Sequence, residues 1–383
     1  MTSPIFKNRC SPLHLYNIVM KKISFCTVCM NRLTHLRETL PVNIAENSQY
    51  PNIEFVILDY NSGDGMEEWA KAHLQDYIDA GIVKYYKNYE PEYFHMSHSK
   101  NMALKLATGD IICLLDADNY AGPGYAHWIN AVFENHGNNT VITTIRKDQI
   151  VFRDQGGKLC FSRELFHQVN GLDESLRGYG IEDVDVVYRL ERAGGQRHFI
   201  EQEKFLKFIG HSTMERLKNF KFTNNLDTIF ACIPETPGAD SEILYFFKDN
   251  TLLQVSFAYD DSKKNDLIFS YGGWSIKQDK QKAGNIKKEA GGMVLEFSDR
   301  SMASFRKKKD NIFEYEYAGA PSIWKEINRE EPLFNTAIMG YGECSNRNKL
   351  IENTKESNLV NATGWGQGTV YLNFNTSNPI IIP

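Results

Sequence analysis

The sequence predicts an α/β domain with a mostly parallel sheet, followed by a β-rich domain. Three observations predict this. From Lys22 onward, short apolar runs alternate with amphipathic stretches of helical period. Ile111–Leu115 is apolar without a break and led by two β-branched residues, as in a strand covered on both faces. Past Asn225 the alternation gives way to short strand-like runs separated by Gly, Asn, Asp and Lys turns.

Composition sets the outer bounds. At 383 residues the chain has room for two ordinary domains, and 42% hydrophobic with 24% charged residues is the balance of a soluble globular protein. A net charge of -5 gives no general reason to expect nucleic acid as partner. The seven cysteines are scattered and odd in number, which points to reduced thiols and a cytoplasmic setting. Cys26 and Cys29 form a Cys-x-x-Cys inside an apolar run with no second ligand pair, so they read as core residues. Leu13–Met20 is too short to span a membrane and is followed, not preceded, by Lys21-Lys22, matching neither a signal peptide nor a spanning helix. Residues 1–19 are expected to be an extension, 20–225 the α/β domain and 226–383 the β-rich domain.

Taken in order, Ile23–Met30 reads as a strand ending at Asn31-Arg32, with a helix to about Ala45. Ile53–Leu58 is a second buried strand that runs into Asp59-Tyr60-Asn61-Ser62-Gly63-Asp64. Asp64 with Glu67 has the spacing of a capping box, and Met66, Trp69, Ala70, His73, Leu74, Tyr77 and Ile78 give one amphipathic helix. Ile82–Tyr86 is a third strand, and a helix over about Ser97–Ala107 ends at Thr108-Gly109-Asp110. A helix follows Gly122-Pro123-Gly124, then strands at Val141–Ile145 and Leu159–Phe161 and a helix at Arg163–Val169. A further helix starts at Gly178-Tyr179-Gly180-Ile181-Glu182-Asp183, and Phe205–Gly210 reads as a strand with His211 at its end.

The central run ends in Asp116-Ala117-Asp118. In open α/β sheets ligands collect beyond the carboxyl ends of strands, and side chains two apart share one side of an extended chain. Two such carboxylates suit a hard divalent cation that also holds phosphates, although the same tripeptide could be an acidic turn capping a helix. Glu182 and Asp183 open a helix, where the dipole favours an ionised carboxylate fit to act as a base, or simply a first-turn charge. His211 could complete a metal shell begun by Asp118. His95 and His98 lie near these segments by position only.

The ordered set of Asn31-Arg32, Asp59, Ser97–Lys100-Asn101, Asp116-Ala117-Asp118 and Gly178–Asp183 resembles nucleotide-sugar glycosyltransferases of the GT-A fold, family 2 type, over about Lys21–Phe220. The last motif is also similar to the Gly-Trp-Gly-x-Glu-Asp segment of animal β-galactosyltransferases and bacterial polysaccharide polymerases. The resemblance implies that Asp59 contacts the base or ribose of a uridine diphosphate sugar, and that Thr27, Asn31 and Arg32 line the nucleotide pocket. It implies that Lys100, standing where the family usually has Arg, meets phosphate or donor sugar, and that Asp116 and Ala117 hold the donor. Asp118 with His211, supported by Asp116, would bind Mn²⁺ or Mg²⁺. Asp183 would be the general base, while Tyr179, Gly180 and Glu182 hold the acceptor, a glycan, glycolipid or protein. With one base and no evident covalent nucleophile, the transfer is expected to invert the anomeric centre. Tyr60 stands where the family has a second acid, a departure that bears on the donor's identity.

Two other readings compete. A nucleotidyltransferase would want a glycine-rich loop after the first strand, and Cys26–Leu33 has no glycine. A non-catalytic carbohydrate-binding protein on a degenerate transferase domain would not need Asp116, Asp118, Glu182, Asp183 and His211 together. In the last third, Pro234–Gly238 reads as a linker, and strands are expected at Ile243–Phe247, Leu252–Tyr259, Leu267–Tyr271, Gly292–Phe297, Ile312–Tyr317 and Thr369–Phe374, in a sandwich-like arrangement. Trp274, Trp324 and Trp365 could stack on sugar rings or pack in the core. Lys277, Lys280, Lys282, Lys287, Lys288 and Arg306–Lys309 make a basic face, either a solvated surface or a dock for anionic glycan or lipid head groups, with peripheral membrane contact.

Overall fold

A computed structural model describes residues 20–145, 157–232, 240–263, 273–355 and 360–383. The expected extension 1–19, the linker at 234–238 and the strand-like run at 267–271 lie outside these residues.

The first half builds β1 (Ile23–Cys29), α1 (Leu33–Asn47), β2 (Ile53–Tyr60), α2 (Met66–His73), α3 (Gln75–Asp79), β3 (Val83–Asn88), α4 (Met96–Leu106) and β4 (Ile111–Leu114). It continues through α5 (Tyr125–His136), β5 (Thr140–Thr143), β6 (Leu159–Ser162), α6 (Arg163–Gln168), α7 (Glu182–Arg192) and β7 (Gln196–Phe199). β1 lies between β2 and β4, parallel to both, and β3 extends the parallel set. Along β1 and β2 successive residues feed opposite cores. Phe25 and Ile57 pack toward α1, α2 and α5, while Cys26 and Leu58 pack toward α4, α6 and α7. Both faces are therefore apolar, which is why these strands read as unbroken runs. Cys26 and Cys29 are buried core residues.

The single helix expected over 66–78 is two, because the backbone relaxes at Leu74 (φ -109°) between α2 and α3. Asp64 does not cap α2, whose N-cap is Gly65 at φ 84°. Its carboxylate instead accepts from the backbone N–H of Leu33, 2.8 Å away, at the start of α1. The strand expected at 205–210 is not a strand. Glu203–Phe205 forms a 3₁₀ turn, and the following chain makes one bridge, between Asn119 and Phe208.

After α8 (Thr213–Leu217) and α9 (Lys221–Asn225) come β8 (Leu226–Cys232), β9 (Ser241–Phe247), β10 (Thr251–Tyr259), β11 (Trp274–Ile276), β12 (Lys282–Glu289) and β13 (Gly292–Phe297). Then follow β14 (Met302–Lys309), β15 (Ile312–Tyr317), β16 (Ala320–Ile327), the long α10 (Pro332–Lys355), β17 (Gly368–Leu372) and β18 (Pro379–Ile382). The β-rich domain is present, but its strands do not face each other as two sheets. Antiparallel pairing runs β10-β12-β13-β14-β15-β16-β8-β9, and β9 pairs back onto β10, closing a barrel with β11 attached outside. Closure leaves no open edge to be shielded, which a sandwich would have. Phe230, Leu244, Leu295, Phe305, Phe313 and Trp324 fill the interior. Alternate residues Ile229, Tyr245 and Val255 face out and pack against Phe334, Ala337 and Ile338 of α10.

The chain then leaves the barrel. β17 pairs antiparallel with β3, and β18 with β17, so the last residues complete the first sheet rather than the second domain. Trp324 and Trp365 are buried, and Trp274 alone of the three tryptophans is exposed. Part of the basic face is internally neutralised: Lys277 and Lys280 pair with Asp240, Lys282 with Asp299, and Lys287 with Glu296.

Glu54 shows how a charge is used inside this sheet. Its side chain is 1% exposed and accepts from Ser24 Oγ (2.5 Å), Thr108 N (2.7 Å) and the ammonium of Lys84 (2.8 Å). Burial alone pushes its pKa up, but Lys84, Ser24 and Thr108 together hold it down to about 2. A folded-state pKa below the unfolded value stabilises the protein above the unfolded pKa. That gain disappears as pH falls through the folded pKa. Glu54→Gln is expected to lower unfolding stability by about 3 kcal/mol at pH 7, with the difference closing as pH falls from about 4.5 toward 2. Urea titrations of both proteins across that range check it, and a difference independent of pH would contradict the ion-pair account.

Candidate active site

The loop after β4 is held from below by polar groups on a face of α1 that would otherwise be apolar. Thr39 Oγ1 donates to the carbonyl of Ala117 at 2.7 Å, and Asn43 Nδ2 to that of Asn119 at 3.0 Å. Asn43 Oδ1 in turn accepts from Ala121 N at 2.7 Å. Thr27 Oγ1 donates to the carbonyl of Leu115 at 2.7 Å. Thr27 thus lies beneath the acidic loop, and is not among the residues lining the cleft above it. Gly157 lies against the Asp116 carboxylate, so a side chain at that position would displace it.

The chain carrying His211 runs alongside this loop. Ile209 N donates to the carbonyl of Asp118 (2.8 Å) and Tyr120 N to that of Lys207 (3.0 Å). This brackets Asp118 and brings His211 Nε2 within 2.7 Å of its Oδ2. Burial pushes the Asp118 carboxyl up, but His211 and Asn119 outweigh it and hold the pKa below the usual value.

The opposite wall is the start of α7. Gly178, Gly180 and Ile181 all have left-handed backbone, with φ of 83°, 89° and 77°. For a β-branched residue such as Ile181 this conformation costs on the order of 1–3 kcal/mol, and it is sustained only where the surroundings enforce it. The turn delivers Glu182 and Asp183 into the cleft. Lys100 of α4 is buried there, its ammonium 2.9 Å from Glu182, 2.9 Å from Asp183 and 4.0 Å from Asp116. Lys100 therefore neutralises an acidic cluster as it stands. Burial would lower its pKa, but the three carboxylates raise it well above the ordinary value. Burial pushes Asp183 up to about 8 despite Lys100, with Glu182 and Asp116 adding repulsion. Asp116 is likewise raised, by burial and by Asp118 and Glu182, against the pull of Lys100.

These walls enclose a cleft of ≈ 380 Å³ that brings together Arg32, Lys100, Asp116, Ala117, Asp118, Tyr179, Gly180, Glu182, Asp183 and His211. Asn31 and Asp59 are not in its lining. Asn31, at φ 56°, ties loops together: its Oδ1 accepts from Gly63 N (2.7 Å) and its Nδ2 donates to Asn219 (3.0 Å). Asp59 is fully buried, and its carboxylate accepts from Tyr85 Oη (2.5 Å), Lys87 Nζ (2.7 Å) and Ser62 N (2.7 Å). Those three donors take up the carboxylate expected to meet a nucleotide.

The cleft also contains residues that sequence reasoning missed. Arg216 of α8 donates to Tyr179 Oη at 2.8 Å. Its place five residues beyond His211 is a signal that could have found it. Glu343 of α10 lines the cleft beside Gly180, where an added side chain would come within 3.1 Å of it. It is 7% exposed and its Oε2 has no hydrogen-bond partner among the described residues. Burial raises its pKa to about 8, with Glu182 adding to this and Arg347 opposing it. Nothing in the sequence pattern pointed to Glu343.

Among the described residues no group of three His, Cys, Asp or Glu side chains is arranged to hold a metal. Asp118 and His211 nevertheless put a carboxylate and an imidazole side by side, hydrogen-bonded at 2.7 Å, a donor pair that suits a divalent cation whose remaining ligands would come from water and substrate phosphates.

A cleft of this make-up at the carboxyl ends of a mostly parallel sheet is that of the GT-A class of sugar transferases. The chain belongs to glycosyl transferase family 2, whose profile it matches over residues 24–221. It is similar to the glucosyl-dolichyl phosphate glucuronosyltransferase of Haloferax volcanii, at 28% identity over 194 residues, or 49% of this chain and 54% of that protein. The chain therefore spans about half the length of that curated relative. Among solved structures it is similar to the mannosyltransferase PcManGT of Pyrobaculum calidifontis in complex with GDP-Man and Mn²⁺ (19% identity, TM-score 0.40, 52% of this chain and 61% of that one). It is also similar to the catalytic domain of Drosophila beta1,4galactosyltransferase 7 in complex with xylobiose (16% identity, TM-score 0.36, 52% and 75%). Among the described residues no helix is long and apolar enough to cross a membrane.

Proposed function

We propose that the cleft transfers a sugar from a nucleotide sugar, with uridine diphosphate as carrier, to a hydroxyl of a glycan, glycolipid or protein, inverting the anomeric centre. One observation carries this reading: Asp118–His211 and Glu182–Asp183 face one another across a single cleft, with Lys100 and Asp116 between them. Asp118 and His211 are the residues that would hold Mn²⁺ or Mg²⁺, with Asp116 beside them. When bound, the cation supplies positive charge to the departing diphosphate.

Asp183 accepts the proton of the acceptor hydroxyl while that oxygen bonds to the anomeric carbon. The bond from that carbon to the diphosphate breaks on the opposite face, and its electron pair leaves with the nucleotide. Glu182 and Tyr179 orient the acceptor. Lys100 keeps the neighbouring carboxylates from repelling one another apart. Transfer to a lipid-linked sugar is one form of this reaction, as the name of the Haloferax volcanii relative indicates for that protein. A reducing, cytoplasmic setting suits the free, buried thiols of Cys26, Cys29, Cys113, Cys160 and Cys344.

The test is release of the nucleoside diphosphate from a panel of UDP-sugars in the presence of Mn²⁺. Turnover should require the cation, and Asp118→Ala should lower it by more than about tenfold, given that a metal centre contributes several kcal/mol of charge stabilisation. Undiminished turnover in chelator, or in Asp118→Ala, would remove the cation from the account.

A further inference from the structure

A second cavity of ≈ 1080 Å³ lies where the transferase sheet, α10 and the barrel meet. It shares Phe94, Tyr179 and Phe220 with the cleft, so the two spaces adjoin through a wall of three rings. We propose that this cavity binds the acceptor, and that the acceptor is an uncharged oligosaccharide of several sugars whose end reaches Asp183 past Tyr179. The proposal rests on the transferase reading above and extends it to the acceptor's class and its site.

Size is the first reason. The 380 Å³ cleft lies near the lower end of small-molecule sites, whereas the larger cavity lies at their upper limit. One holds a single ligand; the other has room for a short chain. The second reason is the lining. Tyr60, Phe94, Phe220 and Tyr179 follow one another with ring centroids 6.0, 5.7 and 6.4 Å apart, running from the large cavity into the cleft. Farther out, Phe222 stacks on Tyr341 of α10 at 4.7 Å. Phe94 and Tyr179 are the partly exposed members of this row and present apolar ring surface to the C–H faces of sugars, while Tyr60 and Phe220, 3% and 4% exposed, back them from behind.

Charge narrows the ligand further. Glu90, Glu92 and Asp249 are balanced in the lining by Arg177, Lys221 and Lys349, which gives no excess of either sign to draw a polyanion. Two buried polar atoms along this path also lack partners among the described residues. Thr223 Oγ1 in the cavity (8% exposed) and Glu343 Oε2 in the cleft (7% exposed) each carry the desolvation cost of an unmade hydrogen bond. A sugar hydroxyl would satisfy either one. The barrel and α10 fall outside residues 24–221, so this arrangement assigns them the outer wall of the acceptor site.

The test uses the full chain, labelled and applied without donor to an array of neutral and acidic oligosaccharides of one to eight sugars, beside the UDP-sugar hydrolysis assay. Binding to neutral chains should strengthen with length over the first few sugars. Ser345→Trp, which fills the cavity from an α10 position, should weaken it by at least tenfold while hydrolysis stays within twofold. Thr223→Val, which removes one hydroxyl at constant shape, should weaken it severalfold and serves if the tryptophan variant does not fold. Binding unchanged in both variants would overturn the proposal. So would a preference for acidic chains, or a wild-type protein that hydrolyses donor yet binds no oligosaccharide. A protein that neither hydrolyses nor binds would instead defeat the transferase reading beneath it.

Discussion

Asp183→Asn is expected to lower kcat by about 10²–10⁴, the usual worth of general-base assistance, with the donor KM nearly unchanged. The amide keeps the size of the carboxylate and its contact with Lys100, 2.9 Å away, but cannot take a proton. The kinetic signature separates this role from a structural one. A base must be ionised to act, and burial has raised Asp183 to about 8, so the wild-type rate should climb with pH along a limb at or below about 8. A bound cation adds positive charge to the cleft and can only move that limb downward. Asp183→Asn should flatten it. A pH profile that keeps the same limb in the variant would assign the base elsewhere, Glu182 being the nearest alternative.

Trp324→Ala should cost about 3–5 kcal/mol of stability, the range for removing a large buried aromatic side chain. Trp324 is fully buried inside the barrel, tilted against Tyr315 with centroids 5.4 Å apart, and its Nε1 donates to Ser322 Oγ at 2.9 Å. Removing it opens a void among Phe230, Leu244 and Phe305 and leaves that hydroxyl without its donor. The effect should reach beyond the barrel, because α10 rests on the barrel's outer face and carries Glu343 into the cleft. Urea unfolding followed by circular dichroism measures the loss. A change below about 1 kcal/mol would mean that Trp324 does not hold the barrel together.

The parallel sheet was legible because burial on both faces leaves an unbroken apolar run, as in Ile111–Leu115. The strand ends were legible because turn and acidic residues follow at once. α10 was not legible, for a physical reason. The face it buries carries Gly342, Glu343, Asn346, Arg347 and Asn353, so the apolar stripe that marks a helix is interrupted where it meets the Gly178–Gly180 loop. Asn346 Nδ2 donates to the Gly180 carbonyl at 2.8 Å, and Gly342 lets the two backbones approach.

Barrel and sandwich share the same alternation along each strand. Only the pairing of β9 with β10, between residues already paired elsewhere, distinguishes them. The return of β17 to β3 is a contact nearly three hundred positions apart in the chain, which no local pattern encodes. Within the site, motif order picked out Lys100, Asp116, Asp118, Asp183 and His211 and set Asp118 beside His211, where the fold has them in contact, but it did not show what surrounds Lys100 or Asp59. Lys100 is engaged by carboxylates, and Asp59 by Tyr85 and Lys87, because burial forces charged groups to pair with whatever the fold brings near.

The most direct measurement is a titration with Mn²⁺ followed by electron paramagnetic resonance, with and without UDP. Wild-type protein should bind one Mn²⁺ per chain more tightly when UDP is present, and both Asp118→Ala and His211→Ala should lose that site while remaining folded. Equal Mn²⁺ binding by all three proteins would contradict the assignment of the cation to the loop after β4.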